Sequence, residues 1–233
     1  LTYISTCLAD GAVGLYAFGE SAFASPAADE AGIRTATYGN SAGISLGQAS
    51  IAGSGGATAC RFIGASSGNV SAADIAAQHF GDTFTIEVWI KLATASTAYG
   101  IYNSNSGQGP SIGVDSTGHL TVWSKGFAQI GKSVATISDT TTFHHLVWTK
   151  ATSTNHTYVD GTVSDGTFSN QTIINQNIWF FGVSNDIGAA LNATCTMFAM
   201  YPTALSPTQI LDHFNQGNGI IPRLTKTGTG IIG

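Results

Sequence analysis

Residues 84 to 91, FTIEVWIK, alternate with period two: Phe84, Ile86, Val88 and Ile90 fall on one side, Thr85, Glu87, Trp89 and Lys91 on the other. Successive side chains of a strand point to opposite faces, so the stretch predicts a strand with one face in a core. Shorter β-rich runs follow at 119–123 (HLTVW), 143–150 (FHHLVWTK), 156–160 (HTYVD), 178–183 (IWFFGV) and 195–201 (CTMFAMY). Turn residues separate them, including DSTG at 115–118, Asp160-Gly161 and Asp165-Gly166. Many short strands with turn signals and almost no helical period predict an all-β antiparallel sandwich or jelly roll. Asp160-Gly161, directly after TYV, suits a type I′ hairpin turn, whose two central residues need positive φ.

The first 83 residues are less regular. They predict strands at 12–19 (AVGLYAFG) and 57–64 (ATACRFIG), joined by a polar, Gly-rich crossing from Ser21 to Gly56. One short C-terminal helix is predicted at 205–217, with Ser206 as N-cap, Pro207 at the first helical position, Gln209 completing a capping box and Gly217 closing the end. Ile210, Leu211 and Phe214 give it an apolar stripe. Residues 218–233 have no period and carry Gly-Ile-Ile at both ends. The expected organisation is one domain over 1–217 followed by a linker or docking arm over 218–233.

Composition narrows the function classes. Charged residues make up 9% of the chain, far below the roughly 25% of an average soluble domain, so hydration rests on neutral polar groups. The net charge of −5 is small and the eight Lys and Arg are scattered, which leaves no footprint for nucleic acid. No apolar run is long enough to span a bilayer, and the first twenty residues lack the basic segment of a signal peptide, so a soluble chain without membrane insertion is expected. Cys7, Cys60 and Cys195 form no C-x-x-C pair, which argues against a zinc knuckle or a disulfide-dense scaffold. At most one bridge can form; Cys60 and Cys195 read as buried thiols acting as small apolar residues. Sequons at Asn69, Asn155, Asn170 and Asn192 fit chance in a chain so rich in Asn, Ser and Thr.

The chemistry the residues support is limited. Cleaving a glycosidic bond needs two flanking carboxyl groups. The glutamates are Glu20, Glu30 and Glu87; Glu30 adjoins Asp29 in a loop, and Asp82, five positions before Glu87, falls on the opposite strand face. No G-x-S-x-G elbow supports a serine nucleophile. His144 and His145, adjacent on a strand, project to opposite faces and so do not share one metal ion. His144 falls with Leu146 and Trp148, His145 with Phe143 and Val147, and both read as structural. Asn185, Asp186 and Asn192 in the 184–192 loop, and Asp165, offer too few carboxylates for a tight calcium site; no cofactor is expected, and calcium is not favoured. Sugar binding needs an aromatic surface with amide and hydroxyl groups around it. The candidate ligand-binding set is Tyr99, Tyr102, Asn103 and Asn105, which with Gln108 lie in a Gly-containing loop at 96–111, together with Trp123 on the exposed face of its strand. The same residues also suit an ordinary polar loop and a tryptophan that covers the sheet.

The segments GDTFTIEVWIKL, GVDSTGHLTVW, FHHLVWTKATSTNHTYVDGT, FFGVSN and MYPTALSPTQILDHFN resemble, in order and spacing, the strands of a laminin-G-like domain of the concanavalin A-like lectin/glucanase superfamily. Upstream, DGAVGLYAFGE, GISLGQASIAG and TACRFIG resemble the lead-in of such domains in bacteriophage tail and bacterial surface proteins, so the likeness spans residues 10–217. It implies a jelly roll of two antiparallel sheets and binding to glycans or proteins at a surface. The superfamily also includes glycoside hydrolases whose catalytic strand carries a glutamate pair that this chain lacks. Phe143 stands where the family usually has tryptophan, and NATCTMFAMY where it usually has acidic residues before the last strand.

The resulting expectation is a non-catalytic module on a virion or extracellular surface that binds glycan or a surface receptor, strengthened by homo-oligomerisation. The competing readings are a structural module that decorates or joins a phage capsid or tail through contacts with other virion proteins, and a glycoside hydrolase.

Overall fold

The computed structural model describes residues 2–64, 68–73, 81–104, 109–124, 128–171, 173, 178–182 and 190–220. Its elements run, in chain order, α1 (Tyr3–Ala9), β1 (Gly14–Tyr16), β2 (Thr37–Gly39), β3 (Ile44–Gln48), β4 (Ala59–Phe62), β5 (Asn69–Ala73), β6 (Thr83–Leu92), β7 (Tyr99–Asn103), β8 (Ser111–Val114), β9 (His119–Ser124), β10 (Ala128–Thr136), β11 (His144–Ala151), β12 (Thr154–Val159), β13 (Thr162–Val163), β14 (Ile178–Phe181), β15 (Ala193–Tyr201) and α2 (Pro207–Gly217). One sheet has the order β13-β12-β11-β6-β15-β4-β3, with β1 added against β15; the other has the order β10-β9-β8-β7-β14-β5-β2. The expected sandwich of antiparallel sheets is present. A bulge around Met197, whose φ is 52°, lets β15 pair with β4 through Ala193, Thr194 and Cys195 and with β1 through Phe198, Ala199 and Met200.

The alternation in β6 sets the layers. Phe84, Ile86, Val88 and Ile90 join Leu146 and Trp148 from the same sheet, and Leu120, Val122 and Phe181 from the other, in the core between the sheets. The other face of β6 is also sealed, with Thr85, Glu87 and Trp89 all at 0% exposure. There a second cluster, including Tyr3, Cys7, Trp89, Val147, Tyr201 and Ile210, joins this sheet to the two helices. Phe143 packs partly buried against it, with Lys91 Nζ 5.1 Å from its ring centre.

The helix content departs from expectation: among the described residues two α-helices are present, not one. In α1, Thr2 is the N-cap and Ser5 closes the capping box, a weaker sequence signal than the Glu or Gln usually found there. In α2 the expected Ser206–Gln209 box forms. Its buried stripe is shifted, because Leu211 is 46% exposed while His213 is fully buried. Gly217 does not supply the left-handed turn, which falls to Gly219 at φ 71°. A Cβ on Gly217 would stand 2.0 Å from Trp89 Cζ2, so this glycine lets the last turn of α2 lie against the indole.

The β12–β13 hairpin turns at Asp160 (φ 52°) and Gly161 (φ 75°), as the type I′ expectation requires. Residues 96–111 are not one loop: β7 lies within them and pairs with β8, which begins at Ser111, with Tyr99 opposite Val114 and Asn103 opposite Ser111. All three cysteines are free and buried. Of the expected docking arm, residues 221–233 lie outside the described residues. Among the described residues no helix is long and apolar enough to cross a membrane.

Candidate functional site

The outer face of the seven-stranded sheet carries a cross-strand row. Asn103 of β7 faces Ser111 of β8, Ser111 faces Trp123 of β9, and Trp123 faces Gln129 of β10. With strands about 4.8 Å apart, four such positions span roughly 14 Å. Their neighbours Tyr102, Ile112 and Val122 point into the core, so alternation places the row on the other face. One step along the strands, Thr121 lies between Gly113 and Lys132. Gln129 is exposed, Lys132 half-buried and Trp123 8% exposed, while Asn103 and Ser111 lie beneath the surface. Ser111 Oγ is buried without a protein partner.

Gln129 and Lys132 continue from this row into a groove of about 590 Å³, also lined by His119, Ser133, Thr167 and Ser169. The groove follows the β10 edge, where Val134 and Gly166 backbone N–H groups bond Ser164 and Lys132 carbonyls. Lys132 Nζ is 3.3 Å from Asp115 Oδ2. Burial pushes the Asp115 carboxyl up, but bonds from Thr117, His119 and Lys132 outweigh it and hold it below its ordinary value. The charge of Lys132 is thus answered locally, and the row itself offers an indole, amides and hydroxyls.

A family model described as concanavalin A-like lectin/glucanases superfamily matches residues 64–211, more than half of the chain. The chain belongs to this superfamily. No curated protein matches it. Among solved structures, it is similar to domain 4 of AbnA, a GH43 extracellular arabinanase from Geobacillus stearothermophilus in complex with arabinotriose, with TM-score 0.64 and 15% identity over 87% of this chain and 98% of that one. It is also similar to the binding domain of Paraclostridial Mosquitocidal Protein 1, with TM-score 0.66 and 17% identity over 89% of this chain and 52% of that one. Trypanosoma rangeli sialidase aligns with TM-score 0.63 and 15% identity over 91% of this chain but 33% of its own. At these identities the likeness is one of concanavalin A-like fold.

Within this lectin-like fold the sequence-predicted contacts separate. Asn103 and Trp123 fall in the same row, as the parity of Trp123 anticipates, although little of either is exposed. Tyr99 and Tyr102, at 3% and 2% exposure, are core residues and present no aromatic surface to a ligand. The cause is the bulge between Gly100 and Tyr102, which breaks the alternation and turns Tyr99, Ile101 and Tyr102 all inward. Asn105 and Gln108 lie outside the described residues, as do Asn185 and Asp186 of the calcium candidates. Asn192 Oδ1 accepts from Arg61 Nη2 at 2.5 Å, and Asp165 accepts from the Thr157 N–H and contacts His156. Their oxygens are committed to the protein. Sequence reasoning missed Ser111, Gln129 and the groove; a polar position alternating with Ile112 was the available signal.

The paired histidines do project to opposite sides, and each meets carboxylates. His144 Nε2 lies 2.8 Å from Asp139 and Nδ1 2.8 Å from Asp160. Burial disfavours the charged ring, but Asp160 and Asp139 outweigh it and raise its pKa above the ordinary 6.5. Backbone N–H groups of Thr142 and Thr141 hold Asp139 well below the usual carboxylate range, with His144 adding to them. The raised His144 therefore contributes stability that is complete below its unfolded value of about 6.5 and is lost as pH rises through the folded value. The depressed Asp139 contributes stability present above its unfolded value of about 3.9 and lost as pH falls through the folded value. Titration of the His144 ring by proton NMR is expected to give a midpoint above 6.5; one at or below it would contradict the pairing.

His145 points to the helix-covered side, where Glu87 is the centre of a buried cluster. Glu87 Oε2 accepts from His145 Nε2 at 3.2 Å and from His213 Nδ1 at 3.0 Å; Oε1 accepts from Tyr201 Oη at 2.5 Å and Cys7 Sγ at 3.4 Å. His213 Nε2 reaches Asp10 at 3.0 Å. Burial alone would push the Glu87 carboxyl up, but the His213 charge and the imidazole bonds outweigh it and hold it well below its ordinary value. The opposing cost of burial on His213 is outweighed by Glu87 and Asp10, which raise it to about 9. A carboxylate facing an imidazolium, enclosed by helices, is closed to any polysaccharide.

Proposed function

We propose that this chain is a non-catalytic carbohydrate-binding module that works at a virion or cell surface. The observation that carries the reading is the Asn103–Ser111–Trp123–Gln129 row leading into the β10 groove. A sugar ring pairs an apolar face with a rim of hydroxyls, and Trp123, 8% exposed on the outer face, with the exposed Gln129 facing it across the strands, offers the complementary groups. Asn103 and Ser111 continue the row on the two neighbouring strands and are buried. The superfamily and the likeness to a domain crystallised with arabinotriose fit a glycan ligand. The absence of catalysis is supported by Glu87, which is sealed beneath the helices, and by Glu20, whose carboxylate takes the Ala28 N–H and the Tyr38 hydroxyl. Single-site binding is expected to be weak and to gain from multivalency.

A glycan array probed with the protein displayed in multivalent form tests this. The wild type is expected to bind a set of neutral or weakly charged glycans, and Trp123→Ala or Gln129→Ala to lower affinity by about tenfold or more, roughly 1.4 kcal/mol. Thermal melts run in parallel separate lost binding from lost folding. Absence of glycan binding by the multivalent wild type overturns the proposal.

A further inference from the structure

Beneath the two helices, three side chains from three elements converge: Cys7 of α1, Glu87 of β6 and His213 of α2, all fully buried. One ligand atom from each lies within 4.8 Å of the others. A four-coordinate zinc with bonds of about 2.0 Å to nitrogen or oxygen and about 2.3 Å to sulfur spaces its ligands roughly 3.3–3.5 Å apart. Here the one oxygen Glu87 Oε1 is 3.4 Å from Cys7 Sγ and 3.1 Å from His213 Nδ1. Both spacings to Glu87 are close to those of a tetrahedral site, and the third pair, Cys7 and His213, lies within 4.8 Å.

Two further features point to a metal. His213 presents Nδ1 to the cluster while Nε2 is held by Asp10 at 3.0 Å; a carboxylate on the far nitrogen is how zinc-binding histidines are oriented and made more basic. Tyr3, also fully buried, lies against Cys7 and Glu87 and helps close the cluster. A thiolate, an imidazole and one carboxylate are also the donor set of zinc and cobalt, not of calcium or magnesium.

We infer that Cys7, Glu87 and His213 form a zinc site that staples α1 and α2 to β6. Metal uptake exchanges one Zn²⁺ for two protons, one from the Cys7 thiol and one from His213 Nδ1, so the charge of the buried cluster is unchanged. His213 then keeps its Nε2–H bond to Asp10, and Glu87 gives an oxygen to the metal in place of an acceptor position for the thiol. Because the ligands come from both ends of the chain, the metal enters as the helices dock during folding.

The test uses the full chain, refolded from chelator with one equivalent of zinc or of cobalt(II) alone. One metal per chain is expected by native mass measurement, and the cobalt form is expected to show a thiolate-to-cobalt charge-transfer band in the near ultraviolet. Asp10→Asn, which removes only the orienting carboxylate, is expected to weaken zinc binding by about 10–100-fold. Cys7→Ser is expected to abolish the charge-transfer band. A folded wild type that takes up no metal, or that binds cobalt without the thiolate band, overturns the inference. So does a Cys7→Ser chain that binds zinc as tightly as the wild type. If Cys7→Ser fails to fold, the wild-type band decides alone.

Discussion

Glu87→Ala is expected to lower the free energy of unfolding by about 3–5 kcal/mol, the usual cost of removing one partner from a buried ion pair. Glu87 is the common acceptor for His145, His213, Tyr201 and Cys7. Its loss leaves an imidazolium facing an emptied site and three buried donors with no acceptor. Domains of this kind hold a margin of only about 5–15 kcal/mol, so a large share of the stability goes with one side chain. Urea denaturation in the presence of a chelator measures the value for the proton-held cluster. The double replacement Glu87→Met with His213→Leu removes both charges together, and it is expected to regain most of the loss, as apolar exchange of buried pairs often does. A single variant within about 1 kcal/mol of the wild type would show that the cluster is not under load, since surface substitutions alone stay within about 0.5 kcal/mol.

Local period made the centre of the fold legible. The inner face of β6 is unbroken from Phe84 to Ile90, and the strand emerges with the parity its sequence implies. β10 escaped because Gly131 occupies a core-facing position and the ring of Phe168 fills its place; a Cβ there would stand 2.1 Å from Phe168 Cδ1. The missing side chain erased the alternation. β7 read as a loop for a related reason, since a bulge sends consecutive residues into the core. In α1 the cap is present, but seven residues are too few to show a helical period.

The candidate site was half legible. Strand parity placed Trp123 on the outer face of its sheet, where it is nevertheless largely buried, and Asn103 falls in the same row through a register that only pairing reveals. The tyrosines were misread because polarity and Gly content mark loops and short edge-rich strands alike. The buried cluster left almost no trace in the sequence. Its contacts to Glu87 come from 80 positions upstream and 126 downstream, distances that no local pattern spans. A carboxylate between Thr85 and Trp89 on a strand face was the one signal. The sequence assigned that face no cover, because α1, one of the two helices that lie on it, showed no helical period.

Trp148→Ala is expected to cost about 3–5 kcal/mol, the range for emptying a large aromatic site in a core. Trp148 is fully buried in β11, edge-on to Phe84 at 4.8 Å between ring centres, and its Nε1–H donates to Asn155 Oδ1 at 3.1 Å. Trp148→Phe separates the two contributions. It keeps an aromatic ring against Phe84 but leaves Asn155, only 7% exposed, without this donor, and the loss is expected to be about 1–3 kcal/mol. Urea midpoints should therefore fall in the order wild type, Trp148→Phe, Trp148→Ala, with the slope of the transition unchanged if the denatured state is the same. Equal losses for the two variants would assign the whole effect to the Nε1–H bond and contradict the packing account. Because Trp148 faces the core and Trp123 the outer face of the opposite sheet, Trp148→Phe under folded conditions should bind glycan as the wild type does. That contrast separates the tryptophan that holds the sandwich together from the one assigned to the ligand.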